Sequence, residues 1–447
     1  MVLSSSDILA IVAAALLFVV LKAFNREREN VSRRGGAAPP GSTEEEKVAE
    51  DKGGPYRFPL VTSLPDYDLQ ALKETKPIPY RPFKWGPVYP QHMGIRNLST
   101  VDAWLQIDNL YPSYLALRQS RTTQLGPKVT RTLPGYHAHS LEALCEIALF
   151  LSVRFPCLFE VTRVKYDPAD ARMFGDSIVG EEAGSIAAVK NLVTGETFDF
   201  GEIEEREGSE WNPMRVAGLL LQDDLALMVQ DPASGGQYRF VAGSICTAGS
   251  WRLRDKLGLT LDEIHFTGQV PQYGEKYQKS MNRFFANLSE DRIVERNNYF
   301  FQTDSDLAWS TASNGPEEIY DDLEKGPNPD LLKRTEGAAE PVQATDIDAI
   351  HFRTERQTLR RLPKSKAILF TIRTYLNPVR ALVQEPAVPG RMASALRSWP
   401  RDVHWYKGAG KYTPMLLPYL DRLHEEQVSK GAVELDEKGK TQESYPF

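Results

Sequence analysis

Between Arg353 and Pro363 the chain sets five charged side chains, Arg353, Glu355, Arg356, Arg360 and Arg361, within eleven residues. The apolar run Ala367 to Ile372 follows almost at once. Solvated charge runs ordinarily belong to low-complexity linkers. This one abuts a strand-like core segment and closes on Arg373-Thr374-Tyr375. Several guanidinium groups therefore stand at the edge of a packed core, and a charge taken out of water needs a partner. Arginine suits forked contact with carboxylate or phosphate. Two readings follow. The run is a structural ion-pair network with the chain's acidic residues, or it clamps a ligand or cofactor that carries carboxylates.

At 447 residues the chain has room for one large domain or two average ones. Its 25 % charged and 41 % hydrophobic content is that of a globular protein. A net charge of −7 argues against a nucleic-acid footprint. The three cysteines, Cys145, Cys157 and Cys246, form no CxxC pair. They cannot supply a four-cysteine iron–sulfur or zinc site, and they point to a reducing compartment.

The N-terminal segment reads differently. Ile8 to Leu21 is unbroken and apolar, and Lys22-Ala23-Phe24 extends it by snorkelling. At roughly 1.5 Å per residue, Ile8 to Phe24 reaches about 25 Å, the lower limit for a membrane span. Arg26, Arg28, Arg33 and Arg34 follow, which by the positive-inside rule leaves the body cytosolic. A signal peptide competes, but no positive side chain precedes the run and no small-residue cleavage site closes it. The expectation is a single-pass anchor over 1–24, in the endoplasmic reticulum, with a polar tether over 25–54.

Beyond the tether, Pro55 to Tyr89 is dense in proline and aromatics and predicts an extended arm. Val101 to Gln119 reads as a helix that Pro112 kinks, and Ser140 to Phe155 as a helix capped by Ser140. Ser185 to Phe200 reads as a hairpin turning near Asn191 to Gly195. Leu219 to Val229 fits a helix or a strand. Tyr238 to Ile245 and Ala367 to Tyr375 are strand-like, and Gln278 to Leu288, Met392 to Trp399 and Met415 to Gln427 are helical. The mixture predicts an α+β fold, an antiparallel sheet core flanked by helices. Residues 313–345 read as a polar surface insertion and 431–447 as a polar tail.

No phosphate loop, GxGxxG, HExxH or GxSxG motif occurs, so redox chemistry would need a cofactor recognised by shape. Among seven histidines, His265 has the most defined setting. Thr260-Leu-Asp-Glu263 fits a capping box, so Thr260 starts a short helix that ends near His265. Such a histidine can project into a cavity as an axial iron ligand, or it simply complements the helix dipole. His137 and His139 lack a third metal ligand. Trp251-Arg252-Leu253-Arg254-Asp255-Lys256 is either an ion-paired helix start or an anion site, with Arg252 or Lys256 neutralising and Trp251 stacking. Asp223-Asp224 offers a site for a substrate amine or a proton relay, or else one buried cap beside one solvated residue.

Taken together, Trp104 to Asp108, Leu221 to Leu225, Ser250 to Gly258 with Ile264-His265, Arg296 to Tyr299 and Arg353 to Arg373 resemble the family of the haem-dependent oxidative N-demethylase alpha subunit, often met in fungi. The resemblance covers residues 55–430. It implies a PAS-like haem-binding fold in which haem b activates dioxygen, and a small-molecule amine loses a methyl group as formaldehyde. It also implies electrons from NADPH through a separate reductase that carries flavin and an iron–sulfur centre. On this pattern His265 becomes the axial ligand, Trp251 lines the cofactor, and Arg252, Arg356 and Arg373 face the haem propionates. Asp223 or Asp224 positions the amine. Two other outcomes keep the fold: a haem-binding sensor without turnover, or a haem-less adaptor that binds partners through 313–345.

Overall fold

A computed structural model of the chain describes residues 56–86, 93–166, 176–179, 181–205, 211–318 and 343–440. Its centre is a seven-stranded sheet. In chain order the strands are β1 (Arg96–Asn97), β2 (Thr130–Thr132), β3 (Asp224–Asp231), β4 (Gln237–Ser244), β5 (Val294–Gln302), β6 (His351–Arg361) and β7 (Ile368–Pro378). They lie in the order β1-β5-β6-β7-β3-β4-β2, and every pairing is antiparallel.

The arginine-rich run is thus itself a strand, and all eleven residues of β6 are buried. β6 and β7 form the long central hairpin, closed where the Leu362 N–H donates to the Ala367 carbonyl at 2.7 Å. Side chains alternate along a strand, so the charges of β6 divide between two faces. Phe352, Thr354, Arg356, Thr358 and Arg360 share the first face with Arg373, which lies directly across from Arg356. Arg353, Glu355, Gln357, Leu359 and Arg361 share the second face with Arg296, which lies across from Gln357.

Helices cover both faces. Tyr111–Leu125 (α1), His137–Arg154 (α2) and Pro213–Leu220 (α3) belong to the layer of the first face. There Trp104, Leu144, Ala148, Val216 and Leu220 pack with Leu225, Leu227 and Leu369 of the sheet. The second face is covered by Leu261–Thr267 (α4) and Gln278–Asn287 (α5). Leu261, Phe285 and Leu288 meet Met228, Tyr238, Phe240, Leu359 and Ile368 there. Val388–Ser398 (α6) and Thr413–Ser429 (α7) close a further core around Tyr299, Phe301 and Phe352, at the far end of the first face.

A smaller sheet is built on Glu182–Asn191, which pairs antiparallel with Phe159–Lys165, Asp176–Val179 and Thr197–Asp199. The hairpin turn falls at Asn191 to Gly195, where Gly195 takes φ +79° and donates to the Asn191 carbonyl at 2.8 Å. Only glycine adopts that conformation at little cost.

Several sequence expectations need adjusting. Pro112 stands in the first turn of α1, where its missing N–H costs nothing, so it starts that helix instead of kinking a longer one. α2 starts three residues ahead of Ser140, at His137. The ambiguous stretch from Leu219 is both elements in succession, the end of α3 and then β3.

The fold class and the localisation also need correction. The fold is α+β with antiparallel sheets, but among the described residues no helix is long and apolar enough to cross a membrane. A single-pass membrane protein is therefore unsupported. The expected span, residues 8–24, and most of the 313–345 insertion lie outside the described residues.

Candidate functional site

α4 is short and firmly specified by its own sequence. Thr260 Oγ1 accepts from the Glu263 N–H at 3.4 Å, and Glu263 Oε2 accepts from the Thr260 N–H at 2.8 Å. This is the capping box expected from the sequence, and it satisfies two otherwise orphaned donors. At the other end Lys256 Nζ donates to the Ile264 carbonyl at 3.0 Å and to Thr267 Oγ1 at 3.1 Å. A cation there complements the helix dipole. Burial lowers the Lys256 pKa to about 8.

Asp262 ties α4 to its surroundings. Its carboxylate accepts from Tyr273 Oη at 2.7 Å, Gln278 Nε2 at 2.7 Å, Gln237 Nε2 at 2.9 Å and Asn282 Nδ2 at 3.0 Å. Burial opposes its charge, but these donors outweigh burial and its pKa is lowered. Tyr273 opens a π-helical turn, Tyr273–Tyr277, that leads into α5. Gln269 and Gln272, just before that turn, take positive φ of 52° and 59°. Non-glycine residues in that region carry strain and concentrate at functional sites.

His265 is held inside this frame. Its Nδ1 lies 2.7 Å from the Leu261 carbonyl, and its ring stacks on Tyr273 with centroids 4.5 Å apart and planes 11° apart. A carbonyl only accepts, so Nδ1 carries the proton and Nε2 keeps the lone pair. Among the described residues Nε2 has no hydrogen-bond partner. Burial pushes the His265 pKa down to about 4. The Leu261 carbonyl opposes this, while Arg296 and then Lys256 add to it. At neutral pH the imidazole is uncharged, as an axial ligand must be. Among the described residues no group of three or more His, Cys, Asp or Glu is arranged to hold a bare metal ion.

The other residues singled out in the sequence fall in three places. Trp251 is half-buried near His265's side of the sheet, its ring edge-on to Phe240 with centroids 6.4 Å apart. Arg252 grips Asp255, with Nη2 2.7 Å from Oδ1, and gives Nη1 to the Glu317 carbonyl at 2.6 Å.

Arg356 and Arg373 project from the opposite face. Arg356 donates to Glu295 at 3.0 Å and to the Trp104 and Ala103 carbonyls at 3.0 and 2.6 Å. Arg373 Nη2 lies 2.6 Å from Asp108, and its guanidinium sits over Tyr114 and Tyr375. Its Nη1 is 3.9 Å from Asp223 Oδ2, and neither atom has a hydrogen bond. Asp223 is buried on this face, and that burial raises its pKa.

Asp224, its neighbour, is a structural hub. It accepts from Arg118 Nη1 at 2.6 Å, the Cys246 N–H at 2.7 Å, and the Thr247 N–H and Oγ1 at 2.9 and 3.0 Å. The sheet therefore brings Trp251 and Arg252 to the side of His265, and places Arg356, Arg373 and Asp223 behind it.

Two residues of the His265 side lie in motifs named from the sequence but were given no role at a site. Arg296 acts on the imidazole from β5. Glu355, within the arginine-rich run, stands on the same face. The register of β5 on β6 exposes both, and nothing local in the chain reveals that register.

Fold and site together define an α+β protein that presents one neutral imidazole beside a long antiparallel sheet. The model of the family described as haem-dependent oxidative N-demethylase, alpha subunit-like, matches residues 94–417 of this chain. That range is most of the sequence, and the chain belongs to this family. The match includes all the motifs on which the resemblance was drawn, from Trp104 to Arg373. The family's description carries haem dependence and oxidative demethylation of an amine.

Proposed function

We propose that the chain binds haem b on the His265 side of the sheet and oxidises the N-methyl group of a small amine. The observation that carries this is the His265 imidazole, neutral, oriented by the Leu261 carbonyl and left with a free Nε2. That is the donor an axial site requires, and the carbonyl that fixes it is the usual outer-shell partner of a metal-bound histidine. Bound haem supplies dioxygen activation. The protein's residues hold it, orient it and limit access of water.

In this reading His265 is the ligand, Trp251 walls the site, and Arg296 is the cation placed for a propionate. Arg252 contributes through the α4 approach, its own guanidinium being held by Asp255. Arg356 and Arg373 serve the sheet, because they point away from His265 and spend donors on internal acceptors. Asp224 is likewise committed, to Arg118 and the Thr247 segment.

The reaction takes dioxygen, two electrons and two protons. One oxygen atom goes to the methyl carbon, which leaves as formaldehyde, and the other becomes water. No nucleotide motif supplies the electrons from within, so we assign them to NADPH through a separate reductase with flavin and an iron–sulfur centre.

The test is an absorption spectrum of the full chain after haem supplementation, repeated with His265→Ala. The expected result is a Soret band that moves or disappears in the variant. Failure of the wild type to develop a Soret band sinks the haem reading, and a band unchanged in the variant moves the ligand elsewhere. Formaldehyde release with NADPH and a reductase then separates an enzyme from a haem-binding sensor.

A further inference from the structure

Asp223 is the carboxyl group that the ion pairs behind the sheet leave over. It is 2 % exposed, and Arg373 beside it is 1 % exposed. Oδ2 of Asp223 and Nε and Nη1 of Arg373 have no hydrogen-bond partner among the described residues. Buried polar atoms are nearly always paired, so an acceptor and two donors left over side by side call for a further group. The 3.9 Å from Oδ2 to Nη1 is too long for a hydrogen bond, and it is a span that a water bridges.

The charges around Asp223 are already matched. The cations that face it are Arg373 from β7, Arg356 from β6 and Arg118 from α1. Each has a nearer carboxylate, Asp108 at 2.6 Å, Glu295 at 3.0 Å and Asp224 at 2.6 Å respectively. The hydroxyls of Tyr114 and Tyr375 also face it. Burial keeps both un-ionised, and they donate to the Thr374 carbonyl at 2.6 Å and to Gln106 Oε1 at 3.3 Å.

Asp223 is thus a fourth carboxyl among three cations that already have partners. A charged carboxylate would close onto the spare guanidinium N–H, as Asp108 closes onto Nη2 of the same arginine. Asp223 stands off instead, and burial raises its pKa above the ordinary 3.8, in the direction the charge balance demands.

We propose that Asp223 is an uncharged carboxylic acid at neutral pH and that, with Arg373, it forms a buried binding site for a water molecule. The lining selects the ligand. An anion would meet the carboxyl group and a cation the guanidinium, whereas water accepts from Nη1 and exchanges a hydrogen bond with Asp223. The pair is a proton-holding site on the face opposite His265, and the proposal stands apart from the haem reading.

The test uses the full chain. An atomic-resolution crystal structure should show density within hydrogen-bond distance of both Asp223 Oδ2 and Arg373 Nη1, and unequal C–O bonds in the Asp223 carboxyl. Direct contact of the two atoms, or a gap without density, overturns the water site; equal C–O bonds overturn the neutral acid. Asp223→Asn checks the proton in solution. The infrared difference between wild type and variant at pH 7 should contain a protonated-carboxyl band that shifts in D2O, and a carboxylate band in its place refutes the assignment. The folded acid holds its proton more tightly than the unfolded one, so wild type should lose stability relative to Asp223→Asn as pH rises from about 4 to 7. The variant's Tm should therefore gain on that of wild type across this window, and parallel curves, or a variant that loses ground, overturn the proposal. Should the variant fail to fold, the crystal structure of the wild type decides both halves.

Discussion

Replacing Arg373 with methionine separates the two readings of the arginine-rich region most sharply. The guanidinium is 1 % exposed and is paired with Asp108, itself 3 % exposed, at 2.6 Å. Methionine has a similar length and keeps the packing against Tyr114 and Tyr375. It takes the counter-ion from the Asp108 carboxylate, whose Oδ1 keeps the Leu110 N–H and Gln222 Nε2 at 3.0 and 3.1 Å, and leaves Asp223 without the cation 3.9 Å away. Breaking a buried pair from one side costs about 3–5 kcal/mol, because the remaining charge stays desolvated. For a unit the size of Gly53–Phe447, an unfolding entropy of about 2.1 cal/mol/K per residue sums to about 0.8 kcal/mol/K. Tm should therefore fall by about 4–6 °C in a calorimetric or circular-dichroism melt. Adding Asp108→Asn removes the stranded charge and should restore about 1–2 kcal/mol, the non-additivity expected of a contacting pair. Haem uptake, read from the Soret band at a temperature where both proteins are folded, should match wild type. A variant that melts within about 1 °C of wild type and takes up no haem refutes the reasoning, since Arg373 would then serve the ligand and not the sheet.

Glu142 predicts an unusual pH dependence. It is 1 % exposed and accepts from the Lys364 and Ser365 N–H groups at 2.8 and 3.0 Å. Burial nevertheless raises its pKa from 4.5 to about 7. The folded state thus binds more protons than the unfolded state between those values, and this group makes stability fall as pH rises from about 4.5 to about 7, with no further change above. Glu142→Gln should remove that component, so Tm curves of the two proteins should diverge across this window and run parallel above it; parallel curves throughout refute the assignment. Thr260→Ala should cost about 1 kcal/mol through loss of the α4 cap, and should weaken haem uptake by loosening His265. A loss of stability with unaltered haem affinity would show that the cap does not position the imidazole.

What could be read from the chain alone divides by the distance over which each feature is decided. The α4 capping box needs only Thr260 and Glu263, and it stands where the sequence predicted. The hairpin at Asn191 to Gly195 is equally local. The arginine-rich run is the opposite case. Arg356 finds the Trp104 carbonyl across 252 residues and Arg373 finds Asp108 across 265, so no window of sequence contains both partners. The run also hides that it is a strand. Buried strands ordinarily announce themselves by apolar residues, but β6 is buried on both faces while offering arginine, threonine, glutamate and glutamine to them.

Once the register of β5, β6 and β7 is known, the same letters sort by parity. Arg356 and Arg360 turn to the face of α2, where Arg360 pairs with Glu146, while Glu355 and Arg353 turn to the side of His265. Asp223 and Asp224 sort the same way, one behind the sheet with Arg373 and one bonded to Arg118 and the Thr247 segment. Telling the surroundings of Asp223 from those of Asp224 therefore needs the parity of the strand they enter. Glu355, which accepts from Asn298 and Gln357 on the His265 side, lay inside the very run whose charges looked interchangeable. The ion pairs of Arg356 and Arg360 and the side chains that face His265 lie on opposite faces of one strand, and a shift of register by one residue would exchange them.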